Sequence, residues 1–513
     1  MEKVPRNLRL EPGSQLLHQR VAWALWVALL ISIPITSSPI LGRWMGETPV
    51  SPLAIVPMLL LIPIWLIPFF WNGGNLPGIT RLLIVFTLWV LFTSVAAFTL
   101  PVIPYKGQSI ITREIRALGT LFIGLGFYFC ALTLRPSERA LQWTLRALYL
   151  GAVPMLIWST AQAWLVLDGS DRLPLWMTRL HHVFSIRDYL ADRVTGFAFE
   201  PSWLGDQLVI LYLPLWFASV FTGVSVWRSK KKIISIELIF AVWGFVILLL
   251  TRSRISLISF ILVTAISALV LTWKYSDPSR WSFFAPRLKV RRFIQAGLRP
   301  ALLLLVMVGI ILGVFSSAWL VSKVDPRLGS ILDIPVLLDE IRYYHPNEAG
   351  FEVANRLAFA ERVMYWTASY RLFEHYPITG VGIGNAGFFF EEYFPAYAEQ
   401  LTEVRILLMP ENQAFPNPKS LWLRLLSETG FIGFIVFTLW IIMLGVGAWA
   451  VCSQGTSLNR LVALAGLFGL GALVGEGFSL DTFALPHFWI LTGLITAMIW
   501  NRSTAILIVE DDF

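Results

Sequence analysis

The chain has 513 residues, of which 56% are hydrophobic and 14% charged, with 23 Trp, 36 Phe and a net charge of +8. Soluble domains run at about 45–50% apolar and about 25% charged. With a mean hydropathy of +0.68, the composition excludes a soluble enzyme, a disordered scaffold and a nucleic-acid-binding protein.

Residues 1–20 are polar and basic and lead into a long apolar stretch from Val21, which reads as an uncleaved first span with a cytoplasmic N-terminus. A span needs about 20 mostly apolar residues. Such windows begin near Val21, Pro52, Leu82, Ile115, Leu141, Trp203, Ile234, Ile255, Ala301, Leu421, Leu461 and Leu485, about twelve in all. The predicted fold is an all-α polytopic membrane protein. Residues 21–322 form a bundle of about nine spans interrupted by a short extracytoplasmic segment, 168–202. Residues 323–419 are a large extracytoplasmic loop, 420–500 hold the last spans, and 501–513 are a cytoplasmic tail. The most basic short connections, Trp227–Lys232 and Lys274–Arg299, both fall on the cytoplasmic side in this arrangement, as positive-inside orientation requires. The high pI then reflects topology, and no nucleic-acid partner is needed.

Within the large loop, Glu352–His375 places Val353, Leu357, Ala360 and Met364 at helical spacing, with Phe359, Val363, Trp366, Tyr370 and Phe373 as a second set. This predicts an amphipathic helix on the membrane surface or over the bundle, with Glu352 and Arg356 paired at i, i+4. Whether it covers a cavity or only packs on the spans stays open.

Charges at hydrocarbon depth are expensive and mark functional candidates. Thr251-Arg252-Ser253-Arg254 joins two spans with almost no loop and sets two guanidiniums at the mouth of the bundle. Arg193 and Glu200 precede Pro201, where a helix can begin with Glu200 at the positive end of its dipole. Gly382-Ile383-Gly384-Asn385-Ala386-Gly387 has the spacing of a dinucleotide fingerprint but follows a helix rather than a strand, so it reads as a tight turn. The histidines lack i, i+4 partners and the two cysteines lie far apart, so no metal site or disulfide framework is expected.

Four segments together resemble the O-antigen polymerase and O-antigen ligase superfamily of bacterial inner-membrane glycosyltransferases. They are Arg193-Val-Thr-Gly-Phe-Ala-Phe-Glu200-Pro-Ser, Leu250-Thr-Arg-Ser-Arg254, His375-Tyr-Pro-Ile-Thr-Gly380-Val-Gly382-Ile-Gly384-Asn, and Lys419-Ser-Leu-Trp-Leu-Arg-Leu-Leu-Ser-Glu428-Thr-Gly430-Phe-Ile-Gly433. The resemblance implies a GT-C-like fold, a role in lipopolysaccharide or other polysaccharide biosynthesis, and a substrate carried on undecaprenyl diphosphate. A chain-length regulator and a flippase are partners implied by the family alone, besides membrane lipid. No cofactor is implied.

Displacement at an anomeric carbon leaves a lipid diphosphate, which arginine can stabilise without a metal. Arg193 and Arg254 are the candidates, with Arg252 in reserve. The acceptor hydroxyl needs a base, for which Glu200 stands first and Glu428 second. Tyr365, Trp366 and Tyr370 are candidates for stacking on sugars. Ligases of the family carry His-Asn or His-Ser where this chain has Lys419-Ser420; a lysine serves better as a clamp than as a base, which favours a polymerase, with His375 as a substitute. A ligase acting on lipid A core remains the alternative. A transporter is the competing class, but no half-to-half similarity appears.

Overall fold

The computed structural model describes residues 16–46, 48–133, 137–168, 174–190, 192–227, 235–275, 308, 354, 359–409 and 411–510. Apolar runs this long satisfy their own backbone groups within a bilayer by becoming helices, and every regular element among the described residues is helical. In chain order these are α1 Leu17–Ser32, α2 Ile55–Trp71, α3 Thr80–Ala97, α4 Ile110–Thr133 and α5 Glu138–Asp168. There follow α6 Leu175–Phe184, α7 Pro201–Thr222, α8 Ile236–Thr251, α9 Arg254–Tyr275 and α10 Ala360–His375. The last long helices are α11 Leu421–Gln454, α12 Ser457–Glu476 and α13 Pro486–Glu510.

Six of these, α3, α4, α5, α7, α11 and α12, are long and apolar enough to cross a membrane, and α1, α2, α8 and the first part of α9 are shorter apolar helices. The chain is therefore a polytopic helical membrane protein. The expected windows near Leu82, Ile115, Leu141, Trp203, Leu421 and Leu461 fall on these six, those near Val21, Pro52, Ile234 and Ile255 on the shorter apolar helices, and that near Leu485 on α13, whereas that near Ala301 lies outside the described residues, as do most of 323–358 and most of both basic connections. The expected pair Glu352–Arg356 also lies there. Among the described residues the loop helix starts at Ala360; it buries Met364, Tyr365, Ala368 and Leu372 and leaves Tyr370 exposed.

The chain divides into two units, residues 1–256 with 364–513, and residues 257–363. In the second, the described part is chiefly the continuation of α9. In the first, α4 packs on α13, α11 lies between α3 and α12, α7 packs on α12, and α1 on α2 and α5. Phe437, Trp440, Phe488 and Trp489 interlock at ring distances of 4.9–6.4 Å. Two π turns, Ile62–Leu66 and Leu208–Tyr212, precede Pro68 and Pro214, whose missing N–H groups interrupt the regular ladder.

The departure that shapes the site is in α11. Gly430 takes φ 66° and ψ −174°, which breaks the ladder. Phe431 N–H, which a regular helix would give to Ser427 O, donates instead to Pro377 O at 2.8 Å. The released carbonyls find new donors: Val381 N–H on Ser427 O at 3.0 Å, Gly382 N–H on Glu428 O at 2.9 Å, and the Trp89 indole N–H on Thr429 O at 2.8 Å.

A side chain at Gly430 would both occupy a left-handed conformation and overlap the Ile378 carbonyl. Gly430→Ala should destabilise the detergent-solubilised protein by about 2–4 kcal/mol in chemical unfolding. Gly445→Ala, in the same helix with open space around it, should be neutral or stabilising; equal losses at the two positions would contradict this account.

Candidate active site at one end of the bundle

Short turns set the C-terminal ends of α3 and α12 beside the N-terminal ends of α4 and α13, Ser420 at the start of α11 donates to Gly477 O at the end of α12, and Asn385 and Val194 tie the loops before α11 and α7 to α4 and to the end of α8. Three polar clusters form there.

The first joins the Arg193–Ser202 segment to the end of α8. Gln162, buried on α5, accepts from Thr195 N–H at 3.1 Å and Gly196 N–H at 2.8 Å. Val194 N–H donates to Leu250 O at 3.1 Å, which brings this segment against the Thr251–Arg254 turn. Arg252 ends α8 in the left-handed region at φ 51°, and Arg254 is the first residue of α9. The Arg252 Nε is buried with no hydrogen-bond partner among the described residues. Glu200 stands at the N-cap of α7, half-exposed, and its partner is Arg187, whose Nη1 lies 2.8 Å from Oε1; Ser202 Oγ donates to Oε2 at 3.2 Å. Arg193 pairs with its neighbour Asp192 at 3.1 Å. Arg187 was not singled out by the sequence, because its loop position carries no periodic signal. Its carbonyl is held at 3.0 Å by Nε2 of His181, and burial pushes the His181 imidazole below its usual pKa, keeping the ring neutral. Asp206 and Gln207, one to two turns into α7, are fully buried.

The second cluster surrounds Lys419. The ammonium lies 3.9 Å from Glu403 Oε1 and 5.6 Å from the centre of the Tyr365 ring, and Tyr365 OH donates to the same Glu403 oxygen at 3.3 Å. Tyr365 is buried, so its ring walls the ammonium. Trp366 packs on Phe478 at 5.5 Å, whereas Tyr370 is exposed beside Phe373. His375 is the last residue of α10 and is exposed, with Nδ1 3.1 Å from Arg371 O and its ring 5.0 Å from Tyr393.

The third cluster follows from the break at Gly430. Glu428 accepts from Arg424 Nε at 2.8 Å, and the pair is almost wholly buried; Arg424 Nη1 also donates to Asp481 O. The Gly380–Gly387 turn lies beside it. Gly382, at φ 84°, passes so close to Ala97 and Glu114 that a Cβ would lie 2.6 Å from Ala97 Cβ. Asn385 Nδ2 donates to Glu114 Oε1 at 2.8 Å and to Val381 O at 3.0 Å. The glycine-rich segment is thus a packed turn, as its helical context implies. Glu114 and Arg113 of α4 went unremarked in the sequence because, with Arg116, they form a short charged run at the start of a span, where side chains commonly reach to the interface. Among the described residues no group of three or more His, Cys, Asp or Glu side chains is placed to hold a metal ion.

Removing Glu428 would leave the Arg424 guanidinium buried without its counter-charge. Glu428→Ala should cost about 3–5 kcal/mol of stability, while Glu200→Gln, at a half-exposed pair, should cost less than about 1 kcal/mol. Unfolding measurements on the two variants check this, and the reverse order would show that the roles assigned to the two carboxylates are interchanged.

Residues 239–438 match the family described as O-antigen ligase. No curated protein matches the chain. The matched segment contains Arg252, Arg254, Lys419, Arg424 and Glu428, but Arg193 and Glu200 precede it. Three of the four motifs that resemble the O-antigen polymerase and ligase superfamily, at 250–254, 375–385 and 419–433, lie inside the matched segment, and the fourth, at 193–202, precedes it.

Proposed function

We propose that the protein polymerises undecaprenyl-diphosphate-linked oligosaccharide repeat units into O-antigen or another surface polysaccharide, at the extracytoplasmic face of the inner membrane and on a GT-C-like bundle. The match to the O-antigen ligase family carries the glycosyl-transfer part of this reading. The meeting of the Arg193–Ser202 segment with the Thr251–Arg254 turn supports the location.

In this reading the acceptor hydroxyl gives its proton to Glu200 as its oxygen attacks the anomeric carbon of the donor. The bond from that carbon to the diphosphate oxygen breaks, and the electron pair leaves with the lipid diphosphate. Arg254, with Arg252 and Arg193, stabilises the departing charge through fixed donors in a site of low dielectric. Glu200 suits the base because it is half-exposed and oriented by Arg187. Glu428, buried on Arg424, is better suited to hold the turn. Lys419 occupies the position of the family's histidine and would grip an anionic group rather than take a proton. That difference favours polymerisation over transfer to lipid A core.

Proteoliposomes given a lipid-diphosphate-linked repeat unit should yield a ladder of products. Glu200→Gln should slow it by about 10²–10⁴-fold, as loss of a general base does, and Arg254→Ala should abolish it. Product formed only after lipid A core is added would make the protein a ligase. Passage of the repeat unit across the bilayer without transfer would make it a transporter.

Orientation is tested by single cysteines placed in a background lacking Cys130 and Cys452. A cysteine at Glu374, exposed at the end of α10, should react with an impermeant maleimide in spheroplasts. One at Ser453, exposed at the opposite end of the bundle, should react only after permeabilisation. The opposite pattern would overturn the extracytoplasmic assignment.

A further inference from the structure

Arg113, in the first turn of α4, is a cation that the proposed reaction leaves unused. Its Nε donates to Gly384 O at 3.4 Å, and its guanidinium carbon lies 4.1 Å from the centre of the Phe415 ring. The two Nη groups make no hydrogen bond among the described residues. Arg113 experiences the charges of Glu428, Arg424, Arg116 and Asp481. Of the two carboxylates among these, Glu428 is already paired with Arg424, so three cations face two anions. The result is a local excess of positive charge with an open donor fork.

The direction of that fork restricts what it can meet. On α4 the exposed apolar stripe is Ile111, Ile115 and Phe122. At 100° per residue, Arg113 lies about 180° and Arg116 about 120° around the helix from the centre of that stripe. A lipid headgroup in the surrounding bilayer would approach from the stripe, so the partner of Arg113 comes from the crevice side. The wall there is aromatic: Phe415 packs against Phe388 at 4.9 Å and Tyr105 at 6.1 Å. A guanidinium stacked on one aromatic ring, with further rings beside it, suits a ligand that pairs a flat carbohydrate face with a carboxylate, since the fork matches a carboxylate bidentately.

We propose that Arg113 and Arg116, with Phe415 and Tyr105, form a subsite for an acidic sugar of the glycan, in which the guanidinium of Arg113 binds the sugar carboxylate. This subsite rests on the glycan-transfer reading but is separate from the arginines assigned to the diphosphate. It would select glycans by the position of a uronic acid along the chain.

The test uses the full-length protein in phosphatidylcholine nanodiscs and three probes: a tetrasaccharide ending in glucuronic acid, the same tetrasaccharide with its carboxyl reduced to the alcohol, and undecaprenyl diphosphate. The wild-type protein should bind the acid about tenfold or more tighter than its reduced form, the difference expected of one charge-assisted pair. Arg113→Gln should erase that preference and Arg113→Lys should keep part of it, with undecaprenyl diphosphate binding unchanged in both. Arg254→Ala should lose undecaprenyl diphosphate and keep the preference. Absence of a preference in the wild type, its survival in Arg113→Gln, or loss of undecaprenyl diphosphate in the Arg113 variants would each overturn the subsite. Failure of the wild type to bind undecaprenyl diphosphate, with the preference intact, would sink the transfer reading and leave the subsite standing.

Discussion

The interruption of α11 at Gly430 is the constraint on which the rest of the site depends. A helix that breaks inside a membrane protein releases carbonyls that the surrounding hydrocarbon cannot satisfy. Here they are taken up by Val381, Gly382 and Trp89, while Phe431 turns to Pro377. The exchange fastens the Gly380–Gly387 turn to α11 and, through Asn385 and Glu114, to α4. Elements far apart in sequence are thereby fixed against one another by hydrogen bonds between turns and helix ends.

That arrangement sorts the charges by cost. A charge removed from water requires a close partner, and the Arg424–Glu428 pair meets the condition at 2.8 Å. Glu200 and Arg187 are at the same distance yet keep contact with solvent, so they can exchange partners during a reaction at small cost. Lys419 lies between these cases. Its ammonium lies 3.9 Å from Glu403 and 5.6 Å from the centre of the Tyr365 ring, and both Lys419 and Glu403 keep contact with solvent. The difference between a charge that builds the turn and one that stays open to solvent is thus one of burial and partner geometry rather than of residue type.

Much of the fold was legible in the sequence because hydrocarbon imposes one rule on every span: about 20 apolar residues, with the backbone closed within the helix. The positions of the long described helices follow from it. Thr251–Arg254 was equally readable, since two arginines between two apolar runs can lie only at a helix junction. The short connection Gly382–Gly387 was recognisable as a turn from its glycines and from the helix before it.

Pairings were not legible, for a physical reason. Sequence spacing fixes which residues share a helix face, whereas the partner of Glu200 depends on where the 185–199 loop crosses α7. Arg187 reaches the carboxylate while Arg193, nearer the first motif, turns to Asp192. The burial of Glu428 and the exposure of His375 were likewise decided by the Gly430 break and by the packing of α10. Composition and periodicity determined that this chain is a bundle of membrane helices, because each span answers locally to the bilayer. Only the tertiary structure decided which charges meet, because those contacts depend on loop paths and on one broken helix that no local pattern encodes.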